Sequence, residues 1–333
     1  MILFRTEEHS VSVIHKQKMD IPAAWKGKDI KDDGSWIYHW SDESIAVLEK
    51  GLAAVKAKGL TAPNFTKEDF PISEIADEIN YFNTELEDGK GFILIRGLPV
   101  ERYTDEEIAI IYYGLGLNMG TPVSQNIKGD MIGHVKDVGA KDPKTVRVYE
   151  TSEYLPYHAD LADVVGLLSL RKAKSGGMSS LSSAMTLFNE ILEKHTEYLG
   201  LLHRHFLMEH IANGDAGPVP IFSYHKGKLS AMHLRQYIEI AQERVGLPLS
   251  PVEIEAFDLV DSILNDPDIR LDMMMEPGDI QFCNNYTIFH SRNGFEDYEE
   301  EERKRHLYRL WLKMPNAREC APDFPGKEGI AKR

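Results

Sequence analysis

Hydrophobic and polar positions divide this chain into a helix-rich first third and a remainder of short strands and turns. Residues 41–60 read as a helix, with Ser41 placed to cap the first turn and Gly59 to stop the last. Residues 72–87, rich in Ile, Leu and acidic side chains, read as a second helix that ends by Gly89. Phe92-Ile93-Leu94-Ile95-Arg96 is an apolar run between glycines, the mark of a buried strand. Thr104 and Glu107 form a capping box that opens a helix through Tyr113. From about residue 130 the pattern predicts strands over 146–149, 164–171, 280–283 and 305–312, with Tyr286 to His290 strand-like as well. Helices are expected over 186–207, 234–245 and 252–264. Gly176-Gly177 and Met275 to Asp279 mark turns. Residues 1–40 read as an irregular arm whose Trp25, Trp36 and Trp40 pack onto the main body.

Composition narrows the class. The chain has 333 residues, 42% hydrophobic and 27% charged, an ordinary globular mixture able to form a large core without disulfides. A net charge of −15 argues against nucleic acid and anionic membranes as partners. It leaves room for a small-molecule substrate, acidic ones included, because a few buried arginines can reverse the local field. Two cysteines, Cys283 and Cys320, suit a reducing compartment. No signal-peptide pattern and no membrane-length apolar run is seen, so the cytoplasm is the default location. Self-association to a homo-oligomer is compatible with all of this.

Two segments carry candidate chemistry: Tyr157-His158-Ala159-Asp160, and Tyr286 to His290 followed by Arg305 and Arg309. A His-x-Asp pair with a distant His is the ligand set of a mononuclear non-haem iron site with open positions. The tripeptide alone is weak, since 13 His and 53 acidic residues among 333 give about two His-x-acid pairs by chance. The chain holds two, His158/Asp160 and His195/Glu197. Context separates them. His195 and Glu197 lie in a helical stretch, where residues two apart point to nearly opposite faces. His158 and Asp160 follow Leu155-Pro156 in an extended or turn-like segment, where residues two apart share a face and can chelate together. Alternation over 305–312 puts Arg305, Leu307, Arg309 and Trp311 on one face. Arginines on a face that otherwise reads as buried need partners. Those partners are either protein carboxylates or the carboxylate of a ligand, which a guanidinium grips with two parallel bonds.

The order of these elements is specific. His158-x-Asp160, Gly176-Gly177-Met178-Ser179, Pro277-Gly278-Asp279, Asn284-Asn285 with His290-Ser291-Arg292, and the R-x-x-x-R of Arg305 and Arg309 follow one another. The chain thereby resembles the taurine dioxygenase (TauD/TfdA) family of iron(II)- and 2-oxoglutarate-dependent oxygenases, over roughly residues 90–315. The resemblance implies a mainly β fold with added helices, built on a double-stranded β-helix (a cupin-like jelly roll). It implies iron(II), 2-oxoglutarate as co-substrate and O2. His158, Asp160 and His290 then look like the metal ligands. Ser179 and Arg305 look like contacts to 2-oxoglutarate. Arg309 matches the position that often faces the acidic group of the prime substrate, and Tyr157, Gln125 and Asn126 are further candidates to line that site. The activity implied is oxidation of a C–H bond in a small polar or acidic molecule, an amino acid or other carboxylate, with release of succinate and CO2.

Expected domains are an arm with helices (1–90), a catalytic barrel (91–320) with a helical insertion at about 186–265, and a tail (321–333). Two other functions use the same residues. A metal-dependent barrel hydrolase or isomerase would keep the three ligands and dispense with 2-oxoglutarate. A non-catalytic barrel would have no need for two His and one Asp to converge. Gly114-Leu115-Gly116-Leu117-Asn118-Met119-Gly120 is not taken as a dinucleotide fingerprint, because it follows a helix and its last spacing is too long. Met273-Met274-Met275 reads as core or pocket wall, and Glu299 to Glu302 as a solvated loop.

Overall fold

The computed structural model describes residues 13–139, 150–210, 215–324 and 328–330. The strand expected over 146–149 lies outside the described residues.

Two sheets form the body. In the larger, strands run in the order Ile37–His39, Phe92–Arg96, Ile280–Asn284, Val164–Arg171, His306–Lys313 and Thr121–Pro122, with Ile132–Val135 also paired to His306–Lys313. The first pair is parallel and the rest are antiparallel. In the smaller sheet the order is Leu271–Met273, Ser179–Ser183, Ile288–Arg292 and Leu155–His158, all antiparallel. Side-chain alternation explains how they stack. Phe92, Leu94, Val165, Cys283 and Trp311 from the larger sheet meet Leu181, Leu271, Met273 and Ile288 from the smaller in one apolar cluster. The intervening Ile93, Ile95, Ile280, Phe282, Leu310 and Leu312 face outward into a second cluster beneath the helices Asp42–Ala57, Ala76–Glu87 and Asp105–Met119. A strand buried on both faces must be apolar throughout, which is why Phe92 to Ile95 shows no polar alternation. Helices Ala184–Lys194 and Pro251–Leu264 cover the other side around Phe188, Phe257 and Phe289. Two facing sheets with helices outside make a double-stranded β-helix, as the resemblance implies.

Local signals acted as expected at several ends. Ser41 accepts the Ser44 N–H at 3.0 Å, and Thr104 and Glu107 close their capping box. The helix from Asp105 runs on to Met119, past Tyr113, so the glycine-rich segment lies within it up to Met119, and Gly120 ends it in extended backbone. Its glycines serve packing: a Cβ on Gly116 would stand 2.2 Å from Leu310 Cδ2 of the sheet below. The arm adds Ile37–His39 to the sheet edge and buries Trp25, Trp36 and Trp40.

The helix expected over 186–207 is divided. It starts from the Ser183 cap, ends at Lys194, and gives way to a 3-10 turn and a short helix, Leu199–Leu202. His205–His210 is a strand paired with Asp215–Pro220, and a second hairpin joins Phe222–His225 to Lys228–Ala231. Phe206 and Met208 alternate into the apolar cluster, and that burial outweighs helix propensity. The insertion at 186–265 is therefore mixed, with hairpins between its helices.

The Pro277-Gly278-Asp279 turn sets the entry to Ile280–Asn284. Asp279 is buried and takes a two-bond grip from Arg96, at 2.9 and 2.7 Å. Gly278 has φ +86°, and a Cβ there would fall 2.0 Å from the Leu98 carbonyl oxygen. Backbone cannot yield as a side-chain tip can. We expect Gly278→Ala to cost about 2–4 kcal/mol of stability, read by urea denaturation. A loss under about 0.5 kcal/mol would show that the turn relaxes freely.

Candidate metal centre

The pairing of Leu155–His158 with Ile288–Arg292 sets His158 directly opposite His290. Their ring centroids are 4.2 Å apart. Asp160 follows two residues beyond the strand and turns back toward both. Asp160 Oδ1 is 4.0 Å from His158 Nε2, and Oδ2 is 3.7 Å from His290 Nε2. One donor atom from each of the three lies within 4.8 Å of the others, a spacing at which they could share one ion. Among the described residues no other His, Cys, Asp and Glu group meets that condition.

The surroundings prepare these atoms for a cation. His158 Nδ1–H donates to the Pro156 carbonyl at 2.8 Å, which leaves the Nε2 lone pair facing Asp160. Burial pulls the His158 pKa below its ordinary value, so the ring is neutral and able to donate that pair. Burial alone would raise the Asp160 carboxyl. Arg309, His290, His158 and the Trp311 N–H outweigh it and hold the group below the ordinary carboxylate range. Trp311 Nε1 donates to Asp160 Oδ2 at 2.9 Å. The Asp160 backbone N–H donates to Asn285 Oδ1 at 3.0 Å, and Asn285 Nδ2 donates to the Ala162 carbonyl at 2.9 Å. The Asn284-Asn285 turn thus locks the loop that carries Asp160. Sequence reasoning quoted these asparagines without finding that role.

Two cavities meet at this point and share Leu155, His158, Asp160 and Arg309. The smaller runs from the triad past Ser179 and His290 to Arg292 and Arg305, with Met274 and Met275 in its wall. Arg305 is 7% exposed, and its Nη1 has no partner. Burial, with the neighbouring Arg292 charge, pushes its pKa down to about 9. Ser179 stands across the smaller sheet from Arg292, and its hydroxyl meets the Gln281 amide group, with Gln281 Nε2 to Ser179 Oγ at 3.1 Å. The donor set fits a divalent metal, and a buried guanidinium with an idle N–H fits the far carboxylate of a chelating oxo acid.

The larger cavity holds about 560 Å3 and is lined by Tyr154, Leu155, Leu161, Leu234, Tyr237 and Trp311, with Arg235 and Glu239 among its polar wall residues. Arg235 is bound to Glu239, Asp258 and Asp261, each at 2.7 Å. Arg309 stands between the cavities, held by Gln125 Oε1 at 2.7 Å and 3.9 Å from Asp160 Oδ1. Gln125 lines neither cavity. Its Nε2 returns to the Arg309 carbonyl at 2.8 Å, so it braces that arginine. Tyr157 borders the larger cavity, but it is 4% exposed and belongs to the apolar cluster under the helices. Asn126 lies outside both cavities. Its side chain closes a loop by accepting from Lys128 N and donating to Asp130 Oδ2.

Beside the arginine end lies a second titratable group. Arg171, gripping Asp105, donates to His306 Nδ1 at 3.0 Å, and His306 Nε2–H donates to His134 Nδ1 at 2.9 Å. Burial, His134 and Arg171 push the His306 pKa down to about 4. An unfolded histidine takes its proton near pH 6.5. The unfolded chain therefore binds the proton first, and stability falls as pH drops from about 6.5 toward about 4. We expect the thermal midpoint to fall across that window and to fall less in His306→Asn. Parallel curves for the two proteins would exclude His306 as the cause.

Among the described residues no helix is long and apolar enough to cross a membrane. Comparison with known proteins agrees with the geometry. The model of the taurine catabolism dioxygenase TauD, TfdA family matches residues 56–311. FR-33289 synthase of Streptomyces rubellomurinus is 30% identical over 307 residues, 89% of this chain and 91% of that protein. The taurine hydroxylase-like protein SAT17 of Stachybotrys chartarum is 23% identical, over 88% of this chain and 79% of its own. A crystal structure of asparagine oxygenase superposes with a TM-score of 0.65 at 14% identity, over 84% of this chain and 93% of that one. The non-haem iron oxygenase OrfP in complex with iron and α-ketoglutaric acid gives 0.60 at 11%, over 83% and 94%. The chain belongs to the TauD/TfdA family of dioxygenases, enzymes that use iron(II), 2-oxoglutarate and O2.

Proposed function

We propose that His158, Asp160 and His290 hold the iron, that Arg305 and Ser179 receive the distal end of 2-oxoglutarate, and that the larger cavity takes a small amino-acid-like substrate. The observation that carries this reading is the meeting of two cavities at the triad, one ending on buried arginines and the other open and mostly apolar. Bound iron supplies oxidative decarboxylation of the oxo acid coupled to oxidation of a substrate C–H bond. The chain does the rest. The Pro156 carbonyl and the Trp311 and Asn285 side chains orient the donor groups, so little reorganisation accompanies loading. Arg305 and Ser179 fix the co-substrate along the smaller cavity. Trp311, Leu155 and Leu161 shield the reacting carbon from water.

Substrate class follows from charge. Arg309 offers a guanidinium beside the triad, suited to a carboxylate. Arg235 is outnumbered by Glu239, Asp258 and Asp261, so that wall is net negative and suits an ammonium group. A zwitterionic amino acid satisfies both ends. The fold neighbours named above include an asparagine oxygenase, which supports the same class. The enzyme is expected to work in the cytoplasm. A hydrolase or isomerase that takes no dicarboxylic co-substrate would have no use for the buried cationic end of the smaller cavity. The test is succinate release with iron(II), ascorbate and 2-oxoglutarate across a panel of amino acids, carboxylates and amines. Stimulation confined to molecules bearing both an acid and an amine supports the reading. Stimulation by simple amines or neutral molecules alone overturns it.

A further inference from the structure

Arg292 is the buried charge that the reading above leaves unused. It is 5% exposed and lines the smaller cavity. One nitrogen, Nη2, donates to the Glu153 carbonyl, while Nε and Nη1 have no partner. Among the described residues neither guanidinium forms an ion pair within 4.0 Å; Asp297 is the acidic neighbour of Arg305, but its Oδ1 accepts the Arg305 backbone N–H at 2.7 Å, and Asp137 and Glu153 act on Arg292 only from farther off. Both guanidiniums stand over the same Phe295 ring, at 4.7 and 5.1 Å from its centroid. Two buried cations beside one ring are costly unless an anion joins them. The strand supplies the distance. Ile288, His290 and Arg292 share a face, and two residues of extended chain span roughly 7 Å. Arg292 thus stands one pleat beyond the triad, opposite Ser179, on the side where Arg305 lies.

We infer that Arg292 is a second guanidinium for the distal carboxylate of the co-substrate, which is then held between Arg292 and Arg305 with the Ser179 hydroxyl beside it. This rests on the assignment of the smaller cavity to 2-oxoglutarate. A purely structural role competes with it. The bond to Glu153, with the Phe295 N–H donating to the Ser152 carbonyl at 3.0 Å, fastens the segment that leads into His158.

The test separates the two by comparing oxo acids. Binding of 2-oxoglutarate and of 2-oxovalerate, which lacks the distal carboxylate, is measured by calorimetry on the manganese(II)-loaded protein, wild type and Arg292→Gln. The inference expects 2-oxoglutarate to weaken about 10- to 100-fold while 2-oxovalerate changes less than about twofold. Arg292→Lys keeps the charge and loses the fork, and should show a smaller loss with the same selectivity, a usable readout should the glutamine variant fail to fold. Unchanged 2-oxoglutarate binding, or equal weakening of both acids, overturns the role of Arg292 alone. Failure of the wild type to bind 2-oxoglutarate overturns the cavity assignment, and Arg292 falls with it.

Discussion

Asp160→Ala is expected to abolish succinate release and to weaken metal binding by more than about 100-fold, since loss of an outer partner alone costs roughly 10- to 100-fold. The side chain is the anionic member of the triad, and the site is arranged around its charge. Trp311 donates to one oxygen and Arg309 lies 3.9 Å from the other. Removing the carboxylate leaves an indole N–H and a guanidinium facing an apolar methyl, so some stability should be lost as well. Asp160→Asn controls for that, because it keeps the shape and loses the charge. Metal titration under anaerobic conditions, with folding followed by circular dichroism, reads both effects. A folded Asp160→Asn protein that binds metal as tightly as wild type would remove Asp160 from the ligand set.

Arg305→Gln should raise the Kd for 2-oxoglutarate by about 100- to 1000-fold, the value of a two-bond, charge-assisted grip worth about 3–4 kcal/mol. A second effect has the opposite sign. Without ligand, the buried Arg305 charge is a burden on the fold, as the fall of its pKa to about 9 indicates. Exchanging it for a neutral amide should leave the ligand-free thermal midpoint unchanged or higher, while protection by 2-oxoglutarate is lost. A structural arginine would behave the other way, with a lower midpoint and protection retained. That second pattern would refute the assignment.

Much of this was legible where one physical rule dominates. Phe92 to Ile95 is apolar because both its faces are covered, and the run shows it directly. The alternation of Leu307, Arg309 and Trp311 placed all three toward the interior, and Tyr308, Leu310 and Leu312 away from it. His158 and Asp160 were preferred to His195 and Glu197 on the expectation of a helix through 195–197, but that helix ends at Lys194 with His195 as its cap; what separates the two pairs is the strand pairing that sets His290 opposite His158. The stretch after Lys194 was misread because its Leu and Glu favour a helix, while the alternation of Phe206 and Met208 pointed to a strand. Gln125 was found as a polar group near the site, but its role of bracing Arg309 depends on a contact across 184 residues. Arg292 was overshadowed by the R-x-x-x-R pair. The period of two from Ile288 through His290 would have placed it on the same face.

The pairing of His158 with His290 has a mechanical consequence. The two imidazoles belong to adjacent strands of the smaller sheet, and the pairing of those strands shifts register just beyond them. An ion gripping both rings is therefore a rivet across a weak seam. Chelation should unfasten Leu155–His158 from its neighbour, opening those amides to deuterium exchange and to proteases while the larger sheet stays closed.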